Sequence, residues 1–286
     1  MSLTTNMVAS SPADRRTVRA ETVLTTLHAL CDELDAAPGL VPGPVIDALF
    51  DRLVRLVLTV PDARAAEVMR EPAFGLLAAR LRELCARGEY ELEAAWAARI
   101  ATAAAPRAEL ERFTYVDNYR QLSRMEIGVL ASAVTTRARS MAFVGAGPLP
   151  LSALFFAGAL DVAVDLIDRD PRALEAAGAV ARALGYPDLR RLEADAADAD
   201  LSGYDVVVLA ALVGTDPAEK QRILARLASS LSPRSVLLVR SARGLRTVLY
   251  PEIDLDLMAG YDVLSVVHPV NDVINSVVLA RIGGGE

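Results

Sequence analysis

The apolar pattern of the chain changes period near residue 135, and this change restricts the available folds more than any other feature. Upstream, apolar residues recur at spacings of three and four, as on a helix with one buried stripe. Val23/Leu24, Leu27, Leu30/Cys31 and Leu34 form one stripe; Ile46, Leu49, Phe50, Leu53 and Leu56/Val57 form a second. The segment from Pro38-Gly39 to Pro42-Gly43-Pro44 separates them, and Pro61 ends the second. Ala65 to Ala86 and Tyr90 to Ala104 read as further helices parted by Gly88, and a last helix is expected over Tyr119 to Thr136. Strand-like alternation is missing from this half, which is expected to be all-α.

Downstream, short runs rich in β-branched residues alternate with helical stretches. Met141–Val144, Val162–Ile167, Asp205–Ala211, Ser235–Val239, Tyr261–Val267 and Ser276–Ala280 read as strands, with Arg190–Leu192 a weaker one. Asp170-Pro171 places a cap before a proline at the first helical position, and Asp216-Pro217 with Glu219 repeats the device. Such alternation predicts a parallel, doubly wound α/β sheet with right-handed crossovers. The expected organisation is a tail over residues 1–12, a helical cap over 13–135 and a nucleotide-binding sheet domain over 136–286.

Composition removes several classes of function. Hydrophobic residues are 53% of the 286, enough for a large core. The net charge of −7 provides no basic footprint for nucleic acid or anionic lipid. Lys220 is the one lysine and lies outside any glycine loop, which argues against a P-loop and against most Schiff-base chemistry. Cys31 and Cys85 read as small core residues, and His28 as packing within a helical stripe. No CxxC or HExxH pattern occurs, so neither a zinc site nor a disulfide framework is expected, in keeping with a reducing cytosol. The longest apolar stretches fall short of the roughly 20 residues of a membrane span, and the first residues lack the pattern of a secretory signal. A cytoplasmic protein is expected, with no nucleic-acid or membrane partner and no required metal; a homodimer is left open.

Gly145-Ala146-Gly147 follows the first strand and opens a helix, where bare backbone lets a ligand approach a helix N-terminus. Pro150 replaces the third glycine of the dinucleotide pattern. Asp168 ends the second strand 23 residues after Gly145, where an acid commonly holds ribose hydroxyls. Asp195, after the third strand, is placed to accept from an adenine amino group. Together they indicate a nucleoside cofactor, S-adenosylmethionine at least as well as NAD; the plainer reading is a tight turn with surface carboxylates. Asp170 reads as a helix cap alone.

Phe143-Val-Gly-Ala-Gly-Pro-Leu-Pro-Leu151 resembles the glycine loop of nicotianamine synthases. Ala210-Ala-Leu-Val-Gly-Thr-Asp216, Leu238-Val-Arg-Ser-Ala-Arg-Gly244 with Arg246 and Leu249-Tyr-Pro251, and His268-Pro with Val273-Ile-Asn-Ser-Val-Val278 are similar to the same family. So is Asn118-Tyr119 with Leu122-Ser123 and Glu126, and the resemblance runs from about Leu81 to Arg281. It implies a Rossmann-like, methyltransferase-type sheet with an N-terminal helical domain, and a reaction other than methylation. The 3-amino-3-carboxypropyl arm of S-adenosylmethionine, a co-substrate, would pass to an amino-acid amine, histidine or a second aminobutanoate, releasing methylthioadenosine.

The resemblance implies cofactor contacts at Tyr115, Gly145, Ala146, Gly147, Pro148, Leu149, Asp168, Asp195, Ala211 and Leu212. Glu93 is the candidate base and Tyr119, 26 residues later, the residue that orients the amine; in the family a glutamate and a tyrosine at this separation face the reacting amine. Glu91 is its nearby rival. Arg240, Arg246 and Tyr250 are candidates for holding substrate carboxylates, weighed against an interdomain salt bridge. Val116 and Asp117 depart from the more aromatic and polar plant pattern, and Arg243 stands where plant enzymes usually have histidine. With arginine used almost to the exclusion of lysine, these departures favour a bacterial branch making opine-type metallophore precursors. Methyl transfer, cyclisation of the cofactor to azetidine-2-carboxylate, and a regulatory module without chemistry remain the alternatives.

Overall fold

The computed structural model describes residues 19–133 and 138–283. The expected tail and the expected boundary at 135/136 lie outside the described residues. The first half is helical: α1 Ala20–Asp35, α2 Pro44–Thr59, α3 Asp62–Met69, α4 Phe74–Thr102, α5 Pro106–Leu110 and α6 Val116–Ala133. The second half runs β1 Ser140–Val144, α7 Leu151–Ala159, β2 Ala163–Asp168, α8 Pro171–Leu184, β3 Arg190–Glu193, β4 Val206–Leu209, α9 Pro217–Ser230, β5 Val236–Ser241, β6 Tyr261–Val267 and β7 Ser276–Ile282.

The helix boundaries differ from expectation: α3 begins at Asp62 rather than Ala65, α6 begins at Val116 rather than Tyr119, and the breaks fall elsewhere. The helix expected from Ala65 breaks between α3 and α4, where Pro72 removes a backbone donor and disfavours helix just before it. Gly88 breaks nothing: α4 runs straight through it for 29 residues. A Cβ at Gly88 would sit 2.3 Å from Phe50 Cζ, so the bare backbone is what lets α2 close on α4.

Among the described residues the strands form one sheet in the order β3-β2-β1-β4-β5-β7-β6. β1 to β5 are parallel, as expected. β7 is antiparallel to both β5 and β6, which corrects the all-parallel expectation at this edge. Residues 268–275 join β6 to β7 without a helix, too short a link for the dozen or more residues of a parallel crossover.

The period of two along each strand divides the core between the two faces. Leu237 and Val239 pack with Ile223, Leu224 and Leu227 of α9. Val236 and Leu238 pack on the other face with Leu130 of α6, Phe156 of α7 and Ala177 of α8. The same alternation sends Arg240 toward α6.

Helix α4 joins the halves. Leu77, Leu81 and Leu84 belong to the core of the helical half, whereas Ala97 and Ile100 pack with Leu151, Leu154, Val180 and Leu184 of α7 and α8. Leu245, Val248, Leu249 and Ile274 of the second half complete the helical core. Cys31 and Cys85 are buried as expected, but His28 lies on the exposed face of α1. No helix among the described residues is long and apolar enough to cross a membrane.

Candidate active site

The loop after β1 begins with two residues in the left-handed region, Gly145 at φ 81° and Gly147 at φ 64°, which side chains rarely adopt. Gly145 and Ala146 donate backbone N–H groups to the Ile167 carbonyl at 2.8 and 3.2 Å, fixing the loop to the end of β2. A Cβ on Gly145 would meet Val213 Cγ2 at 2.3 Å, and one on Gly147 would lie 2.5 Å from Glu93 Oε2. The second approach brings an acid from α4 directly onto the loop.

Glu93 is buried, and the Tyr119 hydroxyl donates to its Oε1 at 2.7 Å. Burial holds the Glu93 carboxyl well above the usual carboxylate range, and the charge of Glu89 adds to this; Tyr119, the Leu149 backbone and Arg240 oppose it. Tyr119 is itself raised well above the ordinary phenol value, by burial and then by Glu93. Glu91 faces a surface groove with Gly39, Leu40 and Arg87 and does not join the pair.

Sequence reasoning missed Glu89. It stands one turn before Glu93 on the same helix face, and Tyr250 donates to its Oε2 at 2.8 Å. Burial raises its carboxyl, while Tyr250 and Arg240 lower it. The four-residue spacing from Glu93 was the available signal.

Arg240 grips Glu126 with both arms of its fork, at 2.7 and 2.9 Å, and donates to Ser152 Oγ at 2.6 Å. Glu126 is fully buried, and the guanidinium lies 5.2 Å from the Phe143 ring centroid. Arg246 donates to the carbonyls of Pro269 and Asn271 at 3.2 and 2.8 Å and so holds the loop before β7. Both arginines thus have partners within the chain. His268 bonds Ser276 Oγ through Nδ1 at 2.8 Å.

The other strand ends complete the edge. Asp168 accepts the Gly147 N–H at 2.9 Å and the Asp170 N–H at 3.0 Å, leaving each oxygen a further lone pair. Asp170 caps α8 through the Arg172 N–H and also accepts the Tyr90 hydroxyl at 2.8 Å, so it joins α8 to α4 as well as capping. Asp195 accepts the Ala197 N–H at 2.9 Å in the loop after β3. Ala211 and Leu212 follow β4, where Ala210 donates to the Val144 carbonyl at 3.0 Å and Lys220 supports the Val213 carbonyl. Burial lowers that lysine to about 8. Tyr115 packs edge-on to Phe113 with its hydroxyl 3.4 Å from Asp51, and burial lifts it to about 12. Val116 is buried, whereas Asp117 faces solvent paired with Arg120. Pro148 and Leu149 end the glycine loop, and the Leu149 backbone bonds Glu93. No group of three or more His, Cys, Asp or Glu side chains among the described residues could hold a metal ion.

The family model for nicotianamine synthase protein matches residues 16–284. The chain belongs to the nicotianamine synthase family. Nicotianamine synthase 9 of Hordeum vulgare is 37% identical over 278 residues, covering 94% of this chain and 81% of its own length. Nicotianamine synthase 2 of Oryza sativa subsp. japonica is 38% identical over 265 residues, covering 89% and 80%. Among solved structures, MtNAS in complex with MTA and tNA aligns at a TM-score of 0.78 and 20% identity, covering 93% of this chain and 97% of that one. A glutamate-to-glutamine variant of MtNAS in complex with S-adenosylmethionine aligns at 0.78 and 20%, covering 91% and 97%. These structural matches establish that the family fold, a helical half on a Rossmann-like sheet, is the fold of this chain.

Proposed function

We propose that the chain transfers the 3-amino-3-carboxypropyl group of S-adenosylmethionine to an amino-acid α-amine, histidine or a second aminobutanoate, giving a nicotianamine-like or opine-type metallophore intermediate. The observation that carries this reading is the buried Glu93 carboxyl, bonded to Tyr119 and set against Gly147 of the glycine loop. Relatives named nicotianamine synthase, and the S-adenosylmethionine complex of an MtNAS variant, support it.

The residues present fit such a co-substrate: a glycine loop a Cβ would fill, carboxylates at the ends of β2 and after β3, and buried acids to offset a cation. Loop residues Gly145 to Leu149 receive the nucleoside, Asp168 accepts its ribose hydroxyls, and Asp195 accepts the adenine amino group. Tyr115, Ala211 and Leu212 wall the pocket. S-adenosylmethionine supplies a sulfonium with three electrophilic carbons; as the amine bonds the arm's terminal carbon, that carbon–sulfur bond breaks and sulfur leaves with the electron pair as methylthioadenosine.

The α-amine is mostly protonated near pH 7 and must lose its proton. Glu93 takes it, and burial brings the carboxyl closer to the amine in basicity than an exposed glutamate of about 4.3 would be. Tyr119 bonds the amine and aims its lone pair. Arg240, held on Glu126, sets the field behind the acids, and Arg246 lines the acceptor side.

The test is to incubate the protein with S-adenosylmethionine, alone and with candidate amino acids, and identify products by mass. Methylthioadenosine and an acceptor adduct are expected. Stoichiometric S-adenosylhomocysteine would mean methyl transfer, and azetidine-2-carboxylate without an adduct would mean cyclisation.

A further inference from the structure

We propose that Glu89 and Tyr250 form a second substrate-binding pair, which holds the α-ammonium of the transferred arm while Glu93 and Tyr119 serve the reacting amine. This rests on the transfer reading above.

The two acids stand one turn apart on α4, about 5–6 Å between Cβ atoms for such a pair. Each has its own tyrosine from a different element: Tyr119 from α6 at 2.7 Å, and Tyr250, after the short helix Gly244–Val248, at 2.8 Å. Among the described residues neither acid is in an ion pair, and the nearby guanidinium of Arg240 is committed to Glu126. A buried carboxylate at Glu93 and a half-buried one at Glu89, without a cation of their own, are costly to the fold. The arrangement is suited to cations that arrive with the substrate.

The charges of the reactants supply them. The acceptor amine must be deprotonated, which occupies Glu93. The α-ammonium of the arm keeps its charge throughout and needs a partner. It is three bonds from the attacked carbon, roughly 4 Å at bond lengths near 1.5 Å. The attacking nitrogen approaches that carbon to about 3–3.5 Å. The two nitrogens therefore stand roughly one helical turn apart, the spacing of Glu89 and Glu93. Tyr250 occupies Oε2 of Glu89 and leaves Oε1 to accept the ammonium.

The test is equilibrium binding by calorimetry. S-adenosylmethionine and its analogue lacking the α-amino group are titrated into wild type, Glu89→Gln, Tyr250→Phe and Glu93→Gln. Wild type is expected to prefer the amino form by about tenfold to a hundredfold, the range for a charged hydrogen bond. Glu89→Gln should bind the two within about threefold, Tyr250→Phe should lose part of the preference, and Glu93→Gln should keep it. The proposal is overturned if wild type shows no preference, or if Glu89→Gln retains it. Equal weakening toward both ligands would also overturn it, since that marks a structural role. Should Glu89→Gln fail to fold, full preference in Tyr250→Phe overturns it. Methylthioadenosine release by wild type is scored separately, so failure of the transfer reading and failure of the Glu89 assignment give different results.

Discussion

The sheet half and the helical half build the site by different means. The sheet half contributes mainly backbone and strand-end loops: glycines with positive φ, N–H groups turned to Asp168, and the turns after β3 and β4. The helical half contributes inward side chains on regular helices, buried Glu93 and half-buried Glu89 on α4 and half-buried Tyr119 on α6. The first is a platform that can seat one nucleoside for many reactions. The second places acids over it, and in the proposed transfer these determine which bond of the bound molecule is addressed. Removing acids from α4 should therefore affect chemistry, and changing the strand ends should affect binding.

The largest effect is expected at Glu93. Glu93→Gln should lower turnover at pH 7 by about 10²–10⁴-fold, the usual weight of general-base catalysis, with cofactor affinity retained. Glu91→Gln should stay within about threefold of wild type, since that side chain faces the groove beside Gly39. Kinetics of methylthioadenosine release on the two variants checks the contrast.

Next is the joint between the halves. Glu126→Ala leaves Arg240 buried without its partner and should cost about 3–5 kcal/mol of stability, read by denaturant unfolding. On the platform, Asp168→Ala should weaken S-adenosylmethionine binding by about 1.5–3 kcal/mol in calorimetry. Asp170→Ala should instead cost about 1–3 kcal/mol of stability, as a lost cap and a lost Tyr90 hydrogen bond, with cofactor affinity nearly unchanged.

The two halves were unequally legible in the sequence. The strands showed as β-branched runs because parallel strands are buried on both faces, and the glycine loop followed from its place after β1. The direction of β7 depended on the short 268–275 link rather than on the composition of the strand. Glu93 and Tyr119 are legible through the family resemblance and their separation, and the structure pairs them. Glu89 is not legible there, because Glu89-Tyr90-Glu91 reads as a polar helix surface and its tyrosine partner is 161 residues away. Arg240 reads from the sequence either as a carboxylate holder or as an interdomain salt bridge, and the structure gives its fork to Glu126, 114 residues earlier.

The smallest effect concerns stability against pH. The carboxyls of Glu89 and Glu93 are raised above their ordinary value near 4.5, so the folded protein holds protons there that the unfolded chain releases. Their contribution is complete below that value and is lost as pH rises through the folded values. Without ligand, Glu93→Gln should melt no lower than wild type at pH 8, and any advantage should shrink as pH falls toward 5. Thermal melts at the two pH values test this.

The central claim is that an acid of the helical half removes the amine's proton above a platform made by the sheet half. Its most direct test is the rate of methylthioadenosine release by wild type and Glu93→Gln across pH 7 to about 9.5, where the free amine becomes neutral in solution. The gap between the two enzymes should narrow steadily as pH rises, because solvent then does what Glu93 does at pH 7. A gap that stays constant over the range, or a variant within about threefold of wild type at pH 7, would contradict the account.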